Sequence, residues 1–246
     1  MIMKQSIFTI QSNTPLTRDV MKMVLGGDTS AITAPGQFVN ILLEGKFLRR
    51  PISVCDYDEE TLTLIYKVVG SGTEIMASLP VGTKLDVLTG LGNGYDTSLS
   101  GDKPLLIGGG VGVPPMYRLA KNLIAEGKKP VVILGFNTAA EVFYKEEFEK
   151  LGAEVHVATA DGSVGVKGFV TDVVKTIPDY TYFYTCGPEP MLKALSDVTT
   201  TSGQLSFEER MGCGFGACMG CSCQTKYGNK RICKDGPVLV KEEIIW

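Results

Sequence analysis

PLLIGGGVGVPPMYRLAKNLIAEGKKPVVILGF, residues 104–136, joins an apolar run to a glycine cluster, an amphipathic stretch and a second apolar run. Pro104–Gly108 reads as a short buried strand ending in glycines. Met116, Leu119, Ala120, Leu123 and Ile124 then recur at i, i+3, i+4, i+7 and i+8, which is one face of a helix. Pro114 and Pro115 fall in its first turn, where a missing N–H costs nothing. Val131–Phe136 is a second buried strand. Downstream the alternation continues: helix over 141–151, strand over 154–159, helix over 168–177, strand over 181–185, helix over 188–198. Alternating strands and helices predict a parallel, doubly wound α/β sheet.

Upstream the pattern differs. Ser6–Thr9, Asp19–Leu25, Gln37–Leu43, Thr61–Val69 and Lys84–Thr89 are short strand-like segments punctuated by glycine and proline, as in an antiparallel barrel or sandwich. From about Phe207 periodicity disappears, and glycine and cysteine dominate. The expected division is therefore 1–100, 101–206 and 207–246, a multidomain α and β protein.

The whole-chain properties exclude several classes. Hydrophobic residues at 44% and charged residues at 21% of 246 are enough for an ordinary core. A net charge of −3, with no basic run, argues against nucleic acid as a partner. No apolar stretch approaches the roughly 18–20 residues that cross a bilayer, so no membrane role is expected. Met1–Gln11 has one lysine and no long apolar region, unlike a leader, and a cytoplasmic location follows as an expectation.

Five of the seven cysteines fall between Cys213 and Cys233, which favours a metal or cluster over disulfides. The spacing Cys213-x4-Cys218-x2-Cys221-x11-Cys233 is that of plant-type [2Fe–2S] loops. Glycine suits such a loop where backbone passes close to inorganic sulfide, and Gly212, Gly214, Gly216 and Gly220 are present. A structural zinc site also takes four cysteines, usually from paired C-x2-C knuckles, whereas only one such pair occurs here. Cys223 is the extra thiol, read as a small buried hydrophobe; the x4–x2 spacing favours Cys221 over it as ligand.

Gly108, Gly109, Gly110 and Gly112 lie between a strand and a helix, where backbone can approach a pyrophosphate. A plain strand-to-helix turn would look similar. Cys186, Gly187 and Pro188 follow the last parallel strand; Cys186 either faces a nicotinamide ring or is a small residue at a tight turn. Arg50-Pro51-Ile52-Ser53 starts a strand; Arg50 either pairs with a phosphate or lies on the surface. Gly70-Ser71-Gly72-Thr73 precedes a short helix, Glu74–Leu79, with Thr73 as its N-cap or as a phosphate ligand. No residue distinguishes NAD from NADP, and no catalytic acid–base pair or nucleophile emerges. The single histidine, His156, lies mid-strand and reads as structural.

These pieces in this order resemble the ferredoxin–NADP reductase superfamily. Arg50–Ser53 looks like its flavin motif, Gly70–Thr73 like its second flavin-phosphate site, and Gly108–Pro115 with Cys186–Pro188 like its pyridine-nucleotide loops. The whole chain, most specifically Glu208–Cys221, is similar to the electron-transfer subunits of NAD-linked (class 1B) dihydroorotate dehydrogenases. That resemblance implies an FAD-binding barrel with Arg50, Pro51, Ile52, Ser53, Ile65, Tyr66, Lys67, Gly72 and Thr73 at the flavin. It implies an NAD-binding α/β domain and a small C-terminal [2Fe–2S] domain. It also implies an FMN-containing catalytic partner that oxidises dihydroorotate in pyrimidine (UMP) synthesis, two copies of each subunit forming a heterotetramer. Electrons would pass from that FMN through the cluster and FAD to NAD⁺, with Phe215 and Met219 near the partner. Ile52 stands where many members carry an aromatic residue that stacks on the flavin. Two alternatives remain: a subunit of another flavin complex, of the ferredoxin-linked transhydrogenase or sulfide dehydrogenase type, and a zinc-binding adaptor without redox chemistry. In the transhydrogenase small subunit one ligand is an aspartate, which the four cysteines here argue against.

Overall fold

Six antiparallel strands close a barrel: β1 (Lys4–Pro15), β2 (Val20–Gly26), β3 (Phe38–Ile41), β4 (Arg50–Tyr57), β5 (Thr61–Lys67) and β6 (Lys84–Leu91), in the order β1-β2-β5-β4-β3-β6. The computed structural model describes residues 3–246; Met1 and Ile2, where the first expected domain and the segment compared with a leader begin, lie outside them. β1 is far longer than its apolar core, because its outward residues are polar and only one face is buried. Phe8, Ile10, Met23, Leu25, Val39, Ile41, Leu62, Leu64 and Val87 fill the interior. Helix α1 (Ser71–Ser78) sends Met76 into that core. Asn13 holds the end of this helix, its Nδ2 donating to Met76 O at 2.9 Å while its Oδ1 accepts from Tyr66 Oη at 3.1 Å.

The second sheet is built from β7 (Pro104–Gly109), α2 (Val113–Ala125), β8 (Val131–Phe136), α3 (Lys145–Lys150), β9 (Glu154–Thr159), β10 (Val166–Lys167), α4 (Val170–Val174), β11 (Tyr182–Cys186), α5 (Glu189–Val198) and β12 (Gly203–Ser206). The order is β10-β9-β8-β7-β11-β12, all parallel. On β7, Leu106 joins Met116, Leu119 and Leu123 of α2 on one side. Leu105 and Ile107 join Val170, Val173, Leu192 and Leu195 on the other. Helices on both faces explain why these strands read as continuous apolar runs.

Three helices differ from the sequence expectation. The helix expected over 141–151 begins only at Lys145, because Tyr144 takes a left-handed φ of 66° and breaks the run. The one expected over 168–177 is confined to Val170–Val174. The one expected over 74–79 begins at Ser71, with Gly70 and not Thr73 at the N-cap.

Beyond β12 lie a hairpin, β13 (Ser222–Thr225) and β14 (Gly228–Arg231), and β15 (Val238–Val240). These short strands left no periodicity to read. β15 pairs antiparallel with β12, so residue 206 is not a break in the sheet's hydrogen bonding. The connector after β6 ties the units together. Tyr95 Oη donates to Thr185 O at 2.8 Å, and Tyr184 Oη donates to Asp96 O at 2.8 Å. Asn93 grips Val238 twice, its Nδ2 donating to Val238 O at 2.7 Å and its Oδ1 accepting from Val238 N at 3.1 Å. Across the barrel–sheet junction, Arg118 and Lys121 of α2 converge on Asp56 of β4, at 3.1 and 2.6 Å. The Arg118 guanidinium also lies 4.0 Å from the centre of the Tyr57 ring. No helix among the described residues is long and apolar enough to cross a membrane.

Replacing Asn93 by alanine strips both partners from a buried backbone unit. The expected loss is ~1–3 kcal/mol, read as a lower urea midpoint; an unchanged midpoint would show that β15 holds its place without this residue.

Candidate cofactor sites

The chain leaves β7 in one direction to form β8, β9 and β10, then returns to place β11 on the other side. In such sheets ligands bind beyond the strands' carboxyl ends at that switch point. A cavity of ≈ 890 Å³ opens there, walled on its far side by the barrel. It brings together Arg50, Pro51, Ile52 and Ser53 of β4; Ile65, Tyr66 and Lys67 of β5; Thr73 of α1; Gly109, Gly110 and Gly112 after β7; and Cys186, Gly187 and Pro188 after β11. Gly72 and Gly108 are not in its wall but support it. A Cβ on Gly72 would stand 2.0 Å from Arg50 Nε, and one on Gly108 would stand 2.7 Å from Val113 Cα.

The contact between Arg50 and Gly72 places the guanidinium across the first turn of α1. The first N–H groups of a helix lack intrahelical partners, and with an arginine they make a site for phosphate oxygens. Thr73 is the third helical residue. Its Oγ1 accepts from Val69 N at 2.9 Å and Gly70 N at 3.2 Å and donates to Gly70 O at 2.9 Å, so it reaches back to the backbone that enters the helix. This corrects the N-cap expectation: the hydroxyl shapes the turn that presents the helix.

On the sheet side, Gly110 has φ 52° and a Cβ on Gly112 would lie 2.1 Å from Cys186 O, so the two loops press together at a position only glycine permits. Burial pushes the Cys186 thiol up to about 12, with Glu208 adding to the effect and a hydrogen bond with Ser206 opposing it. Cys186 is therefore a neutral thiol in the wall of the cavity. His156 is on β9, paired with Glu154 at 2.8 Å, and lines neither cavity.

The sequence reading missed Phe207, Glu208, Glu209 and Met211, which line the same cavity just past β12. Their position after a parallel strand was the available signal, hidden because β12 has only four residues. Phe38, Tyr66, Phe136, Phe169 and Phe207 also line the cavity, so aromatic residues absent at position 52 are present elsewhere in the wall.

The cysteine loop lies against the barrel. Cys221 and Cys233 are buried, Cys213 is partly covered and Cys218 is exposed. Ala217 N and Cys218 N donate to Cys213 Sγ at 3.2 and 3.4 Å, Gly220 N to Cys218 Sγ at 3.5 Å, and Cys233 N to Cys221 Sγ at 3.4 Å. Burial raises the Cys213 thiol, but the N–H groups of Phe215, Cys218 and Ala217 outweigh it and bring the thiol well below its usual range. Burial and the neighbouring Cys221 hold Cys233 high. Amide N–H groups aimed at sulfur are the usual companions of an iron–sulfur cluster. The residues fit the cluster. Cys223 is partly buried, packs against the core below the sheet, and lines a second cavity of ≈ 750 Å³.

Residues 208–245 match the family model for the iron–sulfur cluster binding domain of dihydroorotate dehydrogenase B, and residues 106–197 match the oxidoreductase NAD-binding domain. The chain is 45% identical over 257 residues to the dihydroorotate dehydrogenase B (NAD(+)) electron transfer subunit of Fusobacterium nucleatum, covering 98% of this chain and 99% of that protein. It is 43% identical over 256 residues to the protein of the same name from Shouchella clausii, covering 98% of each. This chain belongs to the dihydroorotate dehydrogenase B electron transfer subunit family. Among solved structures, a chain of the NADH-dependent reduced ferredoxin–NADP oxidoreductase of flavin-based electron bifurcation superposes with a TM-score of 0.87 at 29% identity, over 97% of this chain and 90% of that one. The ferredoxin reductase of carbazole 1,9a-dioxygenase shares the fold, with a TM-score of 0.71 at 24% identity over 80% and 65%.

Gly112→Ala drives a methyl into the Cys186 carbonyl and is expected to raise the KM for NADH by at least about tenfold, since small misplacements at a reacting centre are costly. Flavin content should stay at the wild-type level, and an unchanged KM would remove this loop from the nucleotide site.

Proposed function

We propose that the chain carries electrons between an FMN-containing dihydroorotate dehydrogenase catalytic subunit and NAD⁺ in pyrimidine synthesis, in the cytoplasm, as a heterotetramer of two of each subunit. The observation that carries this reading is the four-cysteine loop, with amide N–H groups donating to its sulfurs, in a chain that also holds the two-walled crevice and has full-length kinship to electron transfer subunits. When bound, flavin supplies two-electron hydride chemistry and the cluster supplies one-electron chemistry.

The protein's own part is holding and orienting. Arg50 and the start of α1, buttressed by Gly72, hold the flavin's phosphates. Pro51, Ile52, Ser53, Ile65, Tyr66 and Lys67 form its barrel-side wall, shaped at one end by Thr73. Gly108, Gly109, Gly110 and Gly112 let the pyrophosphate of NAD approach the start of α2, and Cys186, Gly187 and Pro188 border the nicotinamide. The Cys186 thiol stays protonated at neutral pH, so it presents no charge to a positively charged nicotinamide ring. Cys213, Cys218, Cys221 and Cys233 would hold the cluster. Cys218, Phe215 and Met219 are exposed and offer the partner a weakly polar face beside the cluster. Identity to the electron transfer subunits exceeds that to the bifurcating oxidoreductase, and four cysteines are present where a transhydrogenase subunit has three and an aspartate.

Anaerobically purified protein is expected to show flavin bands, with iron and sulfide each at about two per chain. Cys213→Ala and Cys218→Ala should lose the iron, while Cys223→Ala keeps it. Zinc in place of iron, or iron lost on replacing Cys223 alone, would sink this assignment of ligands. A co-purified FMN protein that oxidises dihydroorotate with NAD⁺ completes the test.

A further inference from the structure

Strand β3 is buried along its whole length, Phe38–Ile41, yet its third residue is asparagine. Asparagine is a poor strand residue, and a buried amide is costly unless fully hydrogen-bonded. Asn40 is 2% exposed and its Oδ1 has no hydrogen-bond partner among the described residues. An apolar residue would suit the strand better. Such local conflicts are expected where function overrides stability. The other half of the amide is engaged: Nδ2 donates to the backbone carbonyl of Cys213 at 3.2 Å. The loop is shaped for this contact. Gly214 has φ 78°, and a Cβ there would stand 2.3 Å from Asn40 Nδ2.

The same face of the strand pair borders the flavin wall. Asn40 lies opposite Pro51, and Phe38 opposite Ser53, in the β3–β4 ladder. Phe38, two residues from Asn40 and so on the same face, lines the crevice and belongs to the core that contains Cys221 and Cys233. One face of one short strand therefore holds the cysteine loop at Cys213 and borders the crevice.

We propose that Asn40 is a positioning residue for electron transfer: it fixes the first cluster ligand relative to the flavin wall and so sets the coupling between the two cofactors. The proposal rests on Cys213 being a cluster ligand. Its role is geometric and leaves the electron count unchanged: each NADH delivers two electrons as hydride, and each cluster accepts one.

The test uses the complex with its catalytic subunit, in wild-type form and as Asn40→Leu and Asn40→Asp. Leucine keeps the bulk without a donor, and aspartate keeps the shape but turns an acceptor toward the carbonyl. Excess NADH is mixed in anaerobically, flavin bleaching is followed by absorbance, and cluster reduction by freeze-quench electron paramagnetic resonance. The first phase of flavin bleaching, that of the chain's own flavin, is expected at the wild-type rate in both variants, and the FMN of the catalytic subunit bleaches behind the cluster. The signal of the reduced cluster should appear roughly 10–100-fold more slowly, the usual scale for losing a residue that orients a metal ligand, and with altered g-values. Wild-type rates and g-values in either iron-loaded variant would overturn the proposal. Loss of iron from both variants would reduce Asn40 to part of the loop's fold and overturn it too. Failure of the underlying ligand reading would show separately, as wild-type protein without iron and sulfide.

Discussion

The antiparallel pairing of β15 with β12, locked by Asn93, is the constraint on which the working geometry depends. A cysteine loop with little apolar side-chain content cannot build a core of its own. It is held because the segment on one side of it, Phe207–Met211, leaves β12, and the segment on the other side, β15, returns to that strand. Both ends of the loop are thereby fixed at the edge of the parallel sheet. The loop's interior is then free to be glycine-rich and shaped by sulfur contacts rather than by packing. The same pairing brings Cys221, Ile232, Cys233 and Leu239 into one core with Phe38 of the barrel and Phe183 of the sheet. Barrel, sheet and loop meet there, and the crevice opens beside that junction.

The barrel and sheet need their own fixed relation, since each supplies one wall of the crevice. Asp56, receiving both Arg118 and Lys121, is partly shielded from water, with 22% of its side chain exposed. Exposed ion pairs contribute little, but this one is backed by the stacking of Arg118 on Tyr57 and by the hydrogen bonds of the connector. Together these contacts restrain rotation of the barrel against α2, the helix whose first turn follows the glycine loop.

The architecture was legible wherever apolar residues repeat over a turn or more. The strand–helix alternation from Pro104 to Val198 follows from burial on both faces, which leaves long apolar runs. Site residues at strand ends were legible for the same reason, because glycine, proline and cysteine interrupt those runs visibly at Gly108–Gly112 and Cys186–Pro188. Three features were not legible. Tyr144 breaks a helix by taking a left-handed conformation that its residue type does not advertise. The strands β12 to β15 are each three or four residues long, below the length at which a period of two can be recognised. Thr73 has the chemistry of a cap, yet the N-cap lies three positions earlier at Gly70, and the Thr73 hydroxyl reaches back to that residue's N–H and carbonyl. Residues that act by reaching from one unit to another, such as Asn93 and Asn40, carry no local pattern at all.

The four thiols differ in environment, and the difference has a direction. Cys221 and Cys233 are each 2% exposed and belong to the core shared with Phe38, while Cys218 is exposed and Cys213 only partly covered. Cys213 also receives two amide N–H donors, more than any other of these sulfurs, and such donors stabilise negative charge on sulfur. A group held by all four would have one end against protein and the flavin wall and the other against solvent. Phe215 and Met219 flank the exposed end, and the opposite end is covered by the barrel and the sheet. The crevice opens elsewhere, between the barrel and the carboxyl ends of the strands, and neither Cys213 nor Cys218 lines it. Placing the loop at the sheet's edge thus anchors its buried cysteines in the shared core while its exposed thiol still reaches the surface.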